Sequence, residues 1–229
     1  MKSVIHGIAA RSPSWPYVAP FAIFLGFLVV SPHLPAGPEI SYPLRVVAVS
    51  AALVVWSRNL INPRASRFRA SALLGLAVFV IWIGPDLLWP GYRVHWLFQN
   101  PVTGPLASSI PEASRRNVSF LIWRVAGSVL LVPVVEELFW RAWLMRYVIS
   151  HDFQSVRLGA YTARAFWVGA LLFASEHGPY WDVGLLAGIA YNWWMLRTRS
   201  LGDCILAHAV TNACLCAYVL HSGRWEYLL

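Results

Sequence analysis

The chain has 229 residues, 58% of them hydrophobic and 12% charged, with a mean hydropathy of +0.56 and a net charge of +8. A water-soluble domain carries about a quarter charged residues, so too little charge is present to solvate a globule, and lipid must cover much of the outside. The positive balance does not indicate nucleic acid, because the basic residues stand between apolar runs, where they set membrane topology.

Seven apolar segments follow in chain order, approximately 17–33, 43–57, 70–90, 122–148, 160–178, 183–197 and 201–220. Each is near the roughly 20 residues that cross hydrocarbon, or a little short of it. They predict an all-α, polytopic transmembrane helix bundle of about seven spans, with eight as the alternative. It forms one domain over 1–229, and the motif-bearing core is 118–220. The first segment reads as an uncleaved span: Lys2 and Arg11 precede it, and it ends in Ser31-Pro32-His33 without a small-x-small cleavage site. Segments two and six are the shortest, so either could be tilted or half-buried. The long polar connection Gly91–Arg116 holds Pro101, Pro105 and Pro111, and a short interfacial helix is expected from Pro111 onward. Counting loop charges, an inward N-terminus places eleven basic residues inside, from Lys2 and Arg11 through Arg58, Arg64, Arg67 and Arg69 to Arg199. Six fall outside: Arg45, Arg93, Arg115, Arg116, Arg124 and Arg224. A cytoplasmic N-terminus follows, and the short arginine-rich chain points to a bacterial cell (inner) membrane. Cys204, Cys214 and Cys216 share one apolar segment and form no disulfide framework.

Ionisable groups within lipid-facing segments cost about 2.5–3.5 kcal/mol each even on the lenient insertion scale and therefore need a reason. Segment four holds Glu136-Glu137-Leu138-Phe139-Trp140-Arg141, segment five ends in Phe173-Ala174-Ser175-Glu176-His177, and segment seven holds His208-Ala209-Val210-Thr211-Asn212. On a helix Glu137 and Arg141 share a face in the favourable order and neutralise each other. Glu136 is rotated by about 100° and has no such partner, which makes it a candidate general base. All three could instead be one buried ionic knot. His208 and Asn212, four apart, face one spot and suit a developing oxyanion, or equally serve as interhelical hydrogen-bonding glue. His177 lies near the end of segment five and Asn212 near the middle of segment seven. Either segment five continues toward Tyr180, or a water-filled cavity reaches inward. Glu176 reads as a solvated loop acid.

Together, Glu136-Glu137-x-x-x-Arg141, Phe173-x-x-x-His177 and His208-x-x-x-Asn212 resemble the three ordered motifs of the CAAX-protease and bacteriocin-processing (CPBP) family, which includes the type II CAAX prenyl endopeptidases. The resemblance covers roughly Val118 to Leu220. It implies an intramembrane endopeptidase acting on a membrane-anchored protein or peptide. Glu136 with His177 would activate the attacking water, His208 with Asn212 would stabilise the oxyanion, and Glu137 and Arg141 would support them without a metal or other cofactor. The alternative cofactor is zinc held by Glu136, His177 and His208, although the H-E-x-x-H signature is absent. A non-catalytic membrane scaffold or immunity protein of the same fold is the non-enzyme alternative. Cys204, His208 and Asn212 also share a stripe, but Cys is a common apolar filler. Asp86 and Asp203 lack the Gly-x-Gly-Asp pattern of aspartyl intramembrane chemistry. Gly184-x-x-x-Gly188 predicts close helix packing beside the site.

Overall fold

A computed structural model describes residues 12–228, so Lys2 and Arg11 lie outside the described residues. Seven principal helices follow the seven apolar segments: α1 (Trp15–Val30), α2 (Pro38–Ser57), α3 (Phe68–Leu88), α4 (Val118–Ile149), α5 (Ala163–Ser175), α6 (Trp181–Thr198) and α7 (Leu201–Ser222). No strand occurs among the described residues. Short polar residues start the helices of the core. Asn117, Thr162 and Ser200 accept from the backbone N–H of Phe120, Ala165 and Asp203, meeting donors that have no partner within the helix. α4 is the hub, touching α1, α2, α5 and α7, while α6 pairs with α5 and also touches α3 and α7.

The expected count of about seven spans is not confirmed. Among the described residues, five helices are long and apolar enough to cross a membrane: α1, α2, α3, α4 and α7. α5 has 13 residues, about 20 Å at 1.5 Å per residue, against a hydrocarbon core of about 30 Å. Segment five counted Glu176 and His177 as helical, but the helix stops at Ser175 and the chain turns through Gly178–Tyr180 into α6. The end of α4 and the start of α7 share a side whether or not this hairpin crosses, so the topology of the flanking helices is unaffected. The long connection arches over the hairpin tip: Arg93 donates to the Pro179 carbonyl and pairs with Asp182 and Asp86, and Trp181 donates to the Leu97 carbonyl. Burial alone would lower the Arg93 pKa, but its hydrogen bond to Asp182 and the two nearby carboxylates outweigh that and hold it above its ordinary value. The interfacial helix expected after Pro111 is a single 3-10 turn, Glu112–Arg116.

Single cysteines at Arg67 and Ser108 flank α3 and are expected to label from opposite faces of the membrane, Arg67→Cys from the inside. Labelling of both from one face by an impermeant thiol reagent would refute this topology.

Candidate active site

α4 is not uniform. It widens into π-helical turns at Gly127–Leu131 and Leu138–Leu144, on either side of the paired acids. In a π turn a carbonyl is met by the N–H five residues on. For Ser128 that residue is Pro133, which has no N–H. Asn212 of α7 fills the role, its Nδ2 donating to the Ser128 carbonyl at 2.8 Å. The sequence therefore fixes where α7 can dock.

The two adjacent acids take different surroundings. Glu137 is fully buried, and its Oε1 accepts from Arg141 Nη1 at 3.0 Å and from His208 Nδ1 at 2.9 Å. Arg141 also donates through Nε to Asn192 Oδ1 at 3.1 Å and lies over the Phe173 ring. This knot joins α4, α6 and α7 to the end of α5. Glu136 lines a cavity of about 320 Å³, and its Oε2 has no hydrogen-bond partner among the described residues.

The same cavity is lined by Glu176, His177, His208 and Asn212, so the structure brings the four candidate catalytic residues together. The short α5 accounts for the depth. Glu136 lies 13 residues before Ile149 and His177 lies 14 residues after Ala163, so both are about 20 Å from the same end of the bundle. A cavity reaching inward, rather than a longer segment five, reconciles His177 with Asn212. Glu176 is exposed, as a loop acid should be, yet it also lines the cavity.

Hydrogen bonding sets the histidine tautomers. Carbonyl and carboxylate oxygens only accept. His177 Nδ1, 2.7 Å from the Phe173 carbonyl, therefore carries its proton and leaves Nε2 as an acceptor. His208 Nδ1 likewise donates to Glu137, so its Nε2 donates only when the ring carries a second proton. The sequence alone treated His208 as a ready donor; the geometry makes that conditional on its charge.

Among the described residues no group of three or more His, Cys, Asp and Glu side chains is placed to hold a metal ion. Cys204 is buried against the Tyr191 carbonyl and does not line the cavity. Asp203 accepts from Ser66, Ser71 and the Arg67 N–H, anchoring the α2–α3 connection, and Asp86 pairs with Arg93. Gly184 and Gly188 meet His177 and α5 respectively; a Cβ at either would come within 3.1 Å of the His177 ring or the Ala170 carbonyl. They pack beside the site.

Sequence reading missed Asn192, Ser128 and Tyr191, whose ring stacks on His208 at 5.0 Å. Asn192 was detectable as a buried amide in an apolar helix, whereas Ser128 acts through its carbonyl and leaves no side-chain pattern.

Residues 118–214 match the family model described as type II CAAX prenyl endopeptidase, Rce1-like. That stretch contains all seven residues of the three motifs and supports the resemblance they carry. The chain is also similar to the uncharacterized protein YyaK of Bacillus subtilis (strain 168), 24% identical over 262 residues covering 96% of this chain and 82% of that protein. No solved structure matches.

Proposed function

We propose that this chain is an intramembrane endopeptidase that hydrolyses a peptide bond of a membrane-associated protein or peptide, using water activated by a glutamate. The observation that carries the reading is one cavity, about 20 Å into the bundle, lined by Glu136, His177, His208 and Asn212, with Glu137 and Arg141 behind its wall.

Amide hydrolysis needs a base beside the attacking water and donors where the oxyanion forms. Glu136 takes the water proton as the oxygen bonds to the scissile carbonyl carbon, and His177 Nε2 accepts the water's second hydrogen bond. Negative charge then develops on the carbonyl oxygen, where Asn212 Nδ2 and the imidazolium of His208 donate. Nδ2 has two hydrogens, and only one is committed to Ser128. Collapse breaks the C–N bond, and Glu136 returns the proton to the leaving amine. Glu137 keeps His208 oriented, much as a buried carboxylate does in a serine-protease triad.

Asn212→Ala is expected to lower cleavage by about 10²–10³-fold, the usual cost of one oxyanion donor. If kcat falls less than tenfold, this role for Asn212 is excluded. Stoichiometric zinc in the purified protein, with activity lost on chelation and restored by zinc, would overturn activation by Glu136 alone.

The reading itself is tested in cells lacking the gene by membrane proteomics. An uncleaved substrate should accumulate, and its processing should return with the wild-type chain but not with Glu136→Gln. Equal rescue by both would mean a scaffold rather than an enzyme.

A further inference from the structure

α7 ends at Ser222, and Gly223, left-handed at φ +70°, turns the chain back over the bundle. Residues 225–228 then return to the catalytic cavity. Tyr227 and Leu228 are 4% and 6% exposed and line it together with Glu136 and His177. The segment is a single 3-10 turn held by side-chain contacts. Tyr227 Oη donates to Asp86 Oδ2 at 3.0 Å, and the Leu228 carbonyl accepts from the Ser109 N–H at 3.4 Å and from its Oγ at 3.2 Å. A peptide carbonyl therefore already has a two-donor seat at the edge of the site.

Two further donors lie in the same wall. Trp82 Nε1 and Tyr180 Oη are shut off from solvent and, among the described residues, have no hydrogen-bond partner. Buried polar groups left in that state cost free energy and call for an explanation. Both side chains line the catalytic cavity. A run of rings leads from His177 through Trp82 and Tyr180 to Tyr227, with successive centres 5.1, 6.3 and 5.2 Å apart. The unpaired donors thus connect the catalytic histidine to the returning segment. The cavity of about 320 Å³ is at the small end of the roughly 300–1,000 Å³ that holds a drug-sized ligand. A peptide extending on both sides of its scissile bond needs more room, and Tyr227 with Leu228 fills the adjoining space.

We propose that residues 225–228 are an autoinhibitory strap seated where the peptide backbone of the substrate binds. Substrate displaces the strap because its carbonyls give Trp82 and Tyr180 the acceptors that the strap withholds. This inference rests on the peptidase reading, which makes the cavity a peptide site.

The Ser109 N–H donates to Leu228 only while the strap is seated, so its hydrogen exchange in the wild-type chain reads opening. That amide should be protected, yet exchange about 100-fold or more faster than the core amides of α7. Exchange as slow as that of α7, or no protection at all, overturns the proposal without recourse to a variant. In the full chain, Tyr227→Ala with Leu228→Ala should empty the seat. The synthetic peptide Arg-Trp-Glu-Tyr-Leu-amide, the sequence of residues 224–228, should then raise the Tm of that double variant by about 5 °C and saturate. Wild type should not respond, nor should the variant respond to Arg-Trp-Glu-Ala-Ala-amide. No saturable shift in the variant, or an equal shift in wild type, refutes the seat. Cleavage is measured on the membrane protein found uncleaved in cells lacking the gene. The double variant should lower KM about tenfold at unchanged kcat, because only the open fraction binds substrate. Tyr180→Phe should raise KM without lowering kcat or Tm, since its hydroxyl has no partner to lose among the described residues. An unchanged KM in the double variant overturns the inhibitory role. Absence of cleavage by wild type and variant alike would sink the peptidase reading instead, and is told apart by the exchange and peptide-binding results.

Discussion

Glu136→Gln is expected to reduce cleavage by about 10²–10⁴-fold, the contribution typical of a positioned general base, while leaving the protein folded. The substitution keeps shape and volume and removes only the ability to take a proton. Among the described residues Oε2 of Glu136 has no partner to lose, and the ionic knot runs through its neighbour. The measurement is single-turnover cleavage in reconstituted vesicles, alongside thermal unfolding of the same preparation. Activity within tenfold of wild type would remove Glu136 from the mechanism. A stability loss as large as that of Glu137→Ala would show that the two acids have been assigned the wrong way round.

Glu137→Ala, by contrast, should destabilise the fold by about 3–5 kcal/mol, the usual cost of breaking a buried charge pair from one side. It strands the Arg141 guanidinium and leaves His208 Nδ1 without its acceptor. Adding Arg141→Met should recover much of the loss, since removing both partners of a buried pair is often close to neutral. Denaturant unfolding in detergent would decide this, and a cost below about 1 kcal/mol for Glu137→Ala would argue against the knot as a structural element. Activity should not return in the double variant, because His208 Nδ1 still lacks the carboxylate that orients the ring.

The helices were legible because lipid demands long apolar runs, and the Glu137–Arg141 pair was legible because helical geometry brings residues four apart together. The link from Glu137 to His208 was not, since 71 residues separate them and only the packing of α7 on α4 joins them. Hydropathy also extended segment five through 178, although the polar Ser175-Glu176-His177 and the Gly178-Pro179 that follow mark the helix end that the structure shows at Ser175. The four candidate residues stood out as polar groups in apolar surroundings. That they border one cavity depended on the shortness of α5, a length the sequence pattern overstated.

That short helix also bears on how the site holds together. A segment of 13 residues is too brief to be held across a bilayer by its own hydrophobicity. α5 is therefore held through its packing against α6 and α4. Their docking relies on polar contacts, Arg141 to Asn192 and Asn192 to the Phe166 carbonyl. His177 stands at the turn that joins the two helices, so it borders the cavity of Glu136 only while this pair is docked on α4.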